Sequence, residues 1–171
     1  MRPFGETTLA TQRLLLSPLR PDDARQMTAV LADERLHEFT GGSPASPAAL
    51  HERYRRLAAG SPDPGEIWLN WIVRLRAPGE PVGTVQATVT RQDWAAVIAW
   101  VIGVPWQGNG YATEAARALV AWLASQGAAV ITAHIHQDHH ASATVAARAG
   151  LTLTDGEADG ERVWQHIPAG R

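Results

Sequence analysis

The residues best suited to chemistry lie in one short segment, between residues 107 and 113. Gln107, Gly108, Asn109 and Gly110 form a loop, and an amphipathic helix begins directly after it. Glycine permits backbone torsions and close approaches that a Cβ would hinder. The first N–H groups of a helix have no partner inside it, and the helix dipole favours negative charge there. The spacing therefore fits either an anion cradle that holds a pyrophosphate or an ordinary strand–helix turn.

A dinucleotide-binding loop fits the same segment poorly. The third glycine of that fingerprint is replaced by Thr113, and the preceding strands are not arranged as a strand–helix–strand unit. If the segment binds phosphate, we expect the donors to be its backbone N–H groups together with the side chains of Gln107 and Asn109.

Four histidines follow within seven residues: His134, His136, His139 and His140. On a strand, residues 134 and 136 share one face, and this spacing could bind a metal. The only nearby carboxylate, Asp138, does not complete a convincing ligand set. We therefore expect no metal, and we expect some of these rings to contact a ligand in a cleft.

Two residue types are missing from the chain, and their absence excludes whole classes of chemistry. All 15 basic residues are Arg, and the chain has neither Lys nor Cys. A cysteine nucleophile, a disulfide, a lysine Schiff base and a Walker-type phosphate lysine are therefore excluded. Any bound phosphate must be held by backbone N–H groups and Arg.

Charge and hydropathy predict neither a nucleic-acid partner nor a membrane. The formal net charge is −2, whereas nucleic-acid binders usually carry a basic surplus. The longest mostly apolar runs, 94–106 and 115–124, are too short to span a bilayer. The first residues lack the apolar stretch of a signal peptide. We therefore expect a cytoplasmic protein.

The hydrophobic periodicity predicts an α+β domain with one central sheet. Strands are expected at 11–19, 68–76, 81–91, 95–104 and 129–136, with a final hairpin over 151–167. Helices are expected to begin at Pro21 and at Ser46, and to span 111–125 and 141–149. No repeat or long linker interrupts this order, so residues 1–171 are predicted to form a single domain.

The motifs resemble one enzyme superfamily over most of the chain. Residues 107–112 look like the Q/R-x-x-G-x-G/A signature of the GNAT N-acetyltransferases. Residues 11–24, 110–115, 136–142 and 149–151 are similar to the branch that acetylates ribosomal-protein N-termini. The resemblance implies a GNAT-like α+β fold. Its central sheet would be mixed, mostly antiparallel and of about seven strands, splayed between the fourth and fifth and flanked by about four helices.

The same resemblance implies acetyl-coenzyme A as cosubstrate and assigns residues to it. The pantetheine arm would bond to backbone groups around Trp100, Ile102 and Val104. His139 stands where an Asn commonly contacts that arm, and Ser142 would lie beside it. The pyrophosphate would lie on a loop made of Gln107, Gly108, Asn109, Gly110, Tyr111, Ala112 and Thr113.

The expected catalytic groups depart from the family pattern at two positions. The usual tyrosine acid is replaced by Ala146, so Ser142 is predicted to protonate the leaving thiolate, although a helix-cap role fits that hydroxyl equally well. The backbone N–H of Ile102 would stabilise the oxyanion. A glutamate base is also absent, because its position is Val97. Water, Asp93, His134 or His136 would then deprotonate the amine.

The leading hypothesis is direct acetyl transfer to a primary amine in a ternary complex. The acceptor is expected to be a protein N-terminus or a small molecule, walled by the loop from Glu34 to Ser43. The alternatives are a non-catalytic acyl-coenzyme A sensor, motivated by the missing acid and base, and a sheet-based interaction module without a ligand. The sequence is compatible with a monomer or a homodimer.

Overall fold

The computed structural model describes residues 4–169, which form one sheet of eight strands and four α-helices. The strands are β1 (Leu9–Ala10), β2 (Leu14–Pro18), β3 (Glu66–Leu75), β4 (Pro81–Thr90), β5 (Ala95–Ile102), β6 (Val130–Ile135), β7 (Thr152–Ala158) and β8 (Glu161–His166). The helices are α1 (Ala24–Val30), α2 (Pro47–Ala59), α3 (Tyr111–Ser125) and α4 (His140–Arg148). Three 3₁₀ turns lie at Pro21–Asp23, Glu34–His37 and Val104–Trp106.

The sheet has the order β1-β2-β3-β4-β5-β6-β8-β7, and only the β5–β6 pair is parallel. The α+β class and the mixed, mostly antiparallel sheet are therefore confirmed. The strand count is eight rather than about seven, because the two-residue strand β1 adds an edge outside β2.

The predicted splay lies between β5 and β6, the fourth and fifth of the expected strands. These two strands pair over only three residues each, from Ala95 opposite Val130 to Val97 opposite Thr132. Beyond this point they diverge. We refer to the space between residues 98–102 of β5 and residues 133–135 of β6 as the β5–β6 cleft.

Helices cover both faces of the sheet and leave part of one face open. α3 and α4 pack on the larger core, where Leu119, Leu123 and Ile131 are fully buried. α1 and α2 pack on the opposite face around Met27 and Ile72. The run 95–104 suggests a fully buried strand, but Val97 is 39 % exposed, because α1 and α2 do not extend over that part of β5.

The C-terminal hairpin is present, and its turn lies near the middle of the predicted span 151–167. The turn is formed by Asp159 and Gly160, while Asp155 and Gly156 lie inside β7 at an irregularity in its pairing with β8. Among the helices of residues 4–169, none has the length and apolar character needed to cross a bilayer.

The close approach of β4 to β5 beside the cleft gives a stability prediction at Gly83. A Cβ at this position would collide with the Val101 carbonyl oxygen and lie 3.0 Å from the Ile102 Cα. Both neighbours are backbone, so we expect Gly83→Ala to lower the free energy of unfolding by about 1–3 kcal/mol. Urea denaturation measures this change.

The matched control is Gly5→Ala, where an added Cβ meets nothing within 4 Å. We expect the control to leave the urea midpoint unchanged. Equal stability of Gly83→Ala and the wild type would contradict the tight β4–β5 packing.

Candidate active site

The backbone of β5 presents unpaired polar groups to the β5–β6 cleft. The Gly103 N–H donates to the Val82 carbonyl at 2.8 Å, which fixes the alternation of the β4–β5 ladder. Odd-numbered residues of β5 therefore direct their N–H and C=O groups toward β4, and even-numbered residues direct theirs toward β6. Because the β5–β6 ladder ends before residue 98, no strand lies opposite Trp100 or Ile102. These two residues offer hydrogen-bonding groups to a ligand in the cleft.

The expected phosphate loop also presents unpaired donors. Gly108 and Gly110 both have a φ of +80°, a left-handed conformation that favours glycine. Within residues 4–169, the N–H groups of residues 108–113 have no acceptor, and the first backbone bond after them runs from the Glu114 N–H to the Gly110 carbonyl. Six consecutive free N–H groups at the start of a 15-residue helix have the donor chemistry that a pyrophosphate requires.

The side chains of Gln107 and Asn109 are used inside the loop. Gln107 Nε2 donates to the Ile102 carbonyl at 2.9 Å, and Asn109 Nδ2 donates to the Trp106 carbonyl at 3.0 Å. The two amides therefore hold the loop against the end of β5, whereas the sequence suggested that they would donate to phosphate.

Val104 lies just outside the strand that was expected to contain it. β5 ends at Ile102, and Val104 begins a 3₁₀ turn. Its carbonyl accepts the Gln107 N–H at 3.2 Å. Of the three residues expected around the pantetheine arm, Trp100 and Ile102 thus face the cleft through β5, and Val104 belongs to the turn that leads into the phosphate loop.

An ion pair between Arg13 and Glu114 joins the N-terminal strands to this loop. Glu114 accepts hydrogen bonds from Thr11 Oγ1 at 2.6 Å, from the Arg13 N–H at 2.8 Å and from Arg13 Nε at 2.7 Å. Arg13 also donates to the Asn109 carbonyl at 2.9 Å and lies 4.7 Å from the ring centre of Tyr111. Burial raises the pKa of Glu114, but these hydrogen bonds outweigh it, so the pKa lies below its ordinary value.

The sequence does not predict this ion pair, and only one of its two residues has a recognisable sequence signal. A glutamate in the first turn of α3 is typical of a helix N-terminus. Nothing in the sequence indicates that its partner is an arginine 101 residues earlier.

His139 and Ser142 begin α4, which starts where β6 ends. The His139 Nδ1 caps the helix by accepting the Ser142 N–H at 3.4 Å, so its neutral ring carries hydrogen on Nε2. The Ser142 hydroxyl is half-buried and has no hydrogen-bond partner among residues 4–169. The capping side chain is therefore His139, and the Ser142 hydroxyl is left available for another role.

The aromatic ring of Phe39 connects the expected acceptor loop to these histidines. Phe39 stacks on His139 with a centroid distance of 4.4 Å and lies 5.3 Å from the ring of His136. Burial lowers the pKa of His139 below its ordinary value, although the Glu38 carboxylate opposes the shift. Phe39 was not a candidate from the sequence, because a single aromatic residue in a loop carries no spacing signal.

Two of the three side chains expected as bases, Asp93 and His136, lie at different ends of β5 and β6. His136 follows β6, and its Nδ1 accepts the Asp138 N–H at 3.1 Å. Asp93 precedes β5, where its carboxylate accepts the Ala95 N–H at 3.1 Å. At about 3.3 Å per residue, β5 separates its two ends by roughly 23 Å. The structure therefore brings His136, but not Asp93, to the end of the sheet that holds Ile102.

The remaining residues expected to contact the cofactor lie at the start of α3. Tyr111, Ala112 and Thr113 form its first turn, and each is half-buried.

Within residues 4–169, no group of three or more His, Asp or Glu side chains is arranged to hold a metal ion. His134 lies on β6, but His136 lies just beyond its end, and no third ligand joins them within the described residues.

The lowered pKa of His139 predicts a pH-dependent stability. The folded protein keeps this ring neutral at pH values where the unfolded chain, with a pKa of 6.5, is already protonated. Stability is therefore full above pH 6.5 and is lost as the pH falls through the folded-state pKa. We expect His139→Gln, which can still accept the Ser142 N–H, to lose less stability than the wild type in urea titrations between about pH 7.5 and about pH 5.

The control is His51→Gln on the exposed face of α2, which should follow the wild-type pH dependence. If His139→Gln instead lost stability in parallel with the wild type, the half-buried His139 ring would not be the titrating group.

The fold is shared with proteins of known structure. The chain resembles a protein described as a ribosomal-protein-serine acetyltransferase from Vibrio cholerae (TM-score 0.76, 19% identity, 98% of this chain and 100% of that chain). An acetyltransferase from Agrobacterium tumefaciens str. C58 is similar with a TM-score of 0.74, 26% identity and 95% of both chains. An aminoglycoside acetyltransferase in complex with coenzyme A is similar with a TM-score of 0.73, 20% identity, 90% of this chain and 94% of that chain.

The family itself is identified by sequence. No curated protein matches the chain. The family model described as "Acetyltransferase (GNAT) domain" matches residues 13–152, well over half of the 171 residues. This range contains the cleft strands β5 and β6, the loop that precedes α3, and the start of α4. The chain therefore belongs to the GNAT acetyltransferase family.

Proposed function

We propose that this protein is an acetyl-coenzyme A-dependent N-acetyltransferase that moves the acetyl group directly to a primary amine in a ternary complex. The observation that carries the proposal is the β5–β6 cleft, with unpaired backbone groups on β5, next to six free N–H groups at the start of α3. The complex of the aminoglycoside acetyltransferase with coenzyme A supports it. We further propose that residues 1–171 form one acetyltransferase domain, since a single sheet runs through the described part.

The residues present fit coenzyme A along its length. The pantetheine arm would bond to the Trp100 and Ile102 backbone in the cleft, and the His139 Nε2–H would donate to one of its carbonyl oxygens. The pyrophosphate would accept the N–H groups of residues 108–113. The chain has no cysteine, so an acetyl group cannot pass through a cysteine thioester on the enzyme. This composition favours direct attack by the amine.

The proposed reaction uses two groups of this chain at the thioester. The neutral amine attacks the carbonyl carbon, so that a C–N bond forms and the C–S bond breaks. The Ile102 N–H, which faces the cleft, would donate to the carbonyl oxygen as negative charge develops on it. The Ser142 hydroxyl, which has no hydrogen-bond partner within residues 4–169, would give its proton to the leaving thiolate and recover one from water.

The proton lost by the amine needs a separate acceptor. Asp93 lies at the far end of β5, and the only lone pair of the neutral His136 ring accepts the Asp138 N–H. We therefore favour water as the acceptor, with His136 able to take the proton only after Nδ1 releases its backbone partner. This choice agrees with Val97, which occupies the position where the family places a glutamate.

The acceptor is proposed to be a protein N-terminus or a small-molecule amine. The similar proteins include both a ribosomal-protein-serine acetyltransferase and an aminoglycoside acetyltransferase. The acceptor wall would be the loop that contains Glu34, Glu38 and Phe39, which Phe39 connects to α4 through its stack on His139. The two carboxylates on this loop are exposed and suit a cationic acceptor.

Two measurements test the proposal together: calorimetric binding of acetyl-coenzyme A, and thiol release on a panel of amines that includes N-terminal peptides and aminoglycosides. We expect binding and turnover with at least one amine. Gly110→Arg should abolish binding, because Gly110 has a left-handed backbone and an added Cβ would lie 3.4 Å from Arg13. No binding to the wild type would overturn the proposal.

The control for this variant is Gly127→Arg, at the opposite end of α3. Gly127 also has a positive φ, of +95°, and an added Cβ there meets nothing within 4 Å. We expect it to bind acetyl-coenzyme A as the wild type does. Full affinity in Gly110→Arg would instead support an interaction module in which the loop is only structural.

A second candidate function, a non-catalytic acyl-coenzyme A sensor, is favoured by one observation. Ala146, at the family's tyrosine position, is completely buried in the core, so no acid reaches the cleft from there. Tight binding of acetyl-coenzyme A without thiol release on any amine would support the sensor.

The role of Ser142 gives a separate prediction. We expect Ser142→Ala to reduce kcat for thiol release by about 100-fold, because a positioned general acid contributes this much or more. The dissociation constant of acetyl-coenzyme A should stay within about twofold of the wild type, since the hydroxyl has no structural partner to lose. Steady-state kinetics and calorimetry measure the two quantities.

The matched variant on the same helix is Thr144→Ala, whose hydroxyl donates to the His140 carbonyl at 3.0 Å. It should change neither quantity by more than about twofold. An unchanged kcat in Ser142→Ala would assign the proton donor to water.

A further inference from the structure

A groove of about 700 Å³ lies beside the phosphate loop and is lined by basic side chains. It runs between the segment 11–13, the outer face of α3 and the end of α4, and it contains Arg13, Arg117 and Arg148. Glu114 is its one acidic residue, so three positive side chains and one negative one give it a formal charge of +2. This is a local excess of positive charge on a chain whose formal net charge is −2.

The arginines of the groove have N–H donors that are not used by acceptors within residues 4–169. Arg13 uses Nε and one terminal nitrogen on Glu114 and Asn109, and its other terminal nitrogen lies 3.4 Å from the Cβ position of Gly110. Arg117 uses only Nε, which donates to the Arg148 carbonyl at 2.7 Å. The Arg148 guanidinium has no hydrogen bond or ion pair within residues 4–169. Guanidinium groups of this kind bind phosphate through paired N–H donors.

The groove and the phosphate loop share residues. Gly110 and Thr113 line the groove and also belong to the run of free N–H groups. In coenzyme A, the pyrophosphate and the 3′-phosphate are attached to the same ribose. If the pyrophosphate lies on residues 108–113, the 3′-phosphate lies no further from it than the width of the ribose. The arginine-lined groove beside residues 110 and 113 is within that reach.

We propose that the groove selects the 3′-phosphate of coenzyme A, with Arg148 and Arg117 as the residues that distinguish the phosphorylated from the dephosphorylated cofactor. This inference rests on the proposed function, because it requires the pyrophosphate to lie on the loop before α3. Without lysine in the chain, discrimination at this position falls to arginine.

Calorimetric titration of the full chain with coenzyme A and with 3′-dephospho-coenzyme A tests the proposal without using turnover. We expect the wild type to bind coenzyme A about tenfold or more tightly than the dephosphorylated form, since a charge-assisted contact is strong. Arg148→Gln should lose this preference through weaker binding of coenzyme A, while its affinity for the dephosphorylated form stays within about twofold. Arg148→Lys should recover part of the preference, because it keeps the charge but not the paired donors.

The variants are chosen so that folding does not confuse the result. Arg148→Gln removes a guanidinium without partners, so its melting temperature should equal that of the wild type. Arg117→Gln also removes a bond to the end of α4, and the dephosphorylated cofactor then serves as its internal reference. The control is Arg56→Gln on the exposed face of α2, which should keep the wild-type preference.

Four outcomes would overturn the proposal. Equal affinity of the wild type for the two cofactors would show that the groove does not recognise the 3′-phosphate, and it would leave the proposed function unaffected. Equal weakening of both cofactors by Arg148→Gln assigns the residue to the pyrophosphate or to structure. Binding of inorganic phosphate that depends on Arg148, without a preference for coenzyme A, makes the groove a site for free phosphate. Failure of both cofactors to bind would overturn the proposed function as well.

Discussion

The early end of the β5–β6 ladder is the constraint on which the rest of the structure depends. β5 is held by seven residue pairs to β4 and β6 by five to β8, but the two strands pair with each other over only three. Each is therefore anchored to the neighbour on its other side, and the cleft cannot close by extending the parallel ladder. Unpaired backbone groups inside a sheet are costly. Here one of them, the Ile102 carbonyl, is satisfied by Gln107, while the others face an open cleft.

The same divergence determines where the helices begin. β5 and β6 are parallel, so the connections that follow them leave from one edge of the sheet and place the N-termini of α3 and α4 on either side of the cleft. The two helices then pack on one face and bury Leu119, Leu123 and Ala146. Binding groups on the loop, on β5 and on α4 are thus fixed by one core. The acceptor loop joins them from the opposite face through Phe39.

Local patterns in the sequence predicted most helices and strands, but such patterns do not predict long-range contacts. The apolar stripe of α3 predicted its bounds, Tyr111–Ser125, because every position of that stripe packs on the sheet. The free N–H groups of residues 110–113 follow from helix geometry, whereas those of Gly108 and Asn109 depend on the conformation of the loop. In contrast, the use of Gln107 and Asn109 within the loop, the remoteness of Asp93 and the contacts of Phe39 depend on how distant segments meet. Spacing along the chain carries no signal for such meetings.

The proposed phosphate loop would bind through main-chain donors, and this has a consequence for how the protein can change over time. A backbone N–H is present in 19 of the 20 amino acids, so most substitutions in residues 108–113 would keep the donor and alter only the backbone conformation. Proline is the one residue that deletes a donor outright. Most side-chain substitutions in such a loop would therefore leave its N–H donors in place. The substitutions that it tolerates are limited instead by the left-handed torsions of Gly108 and Gly110.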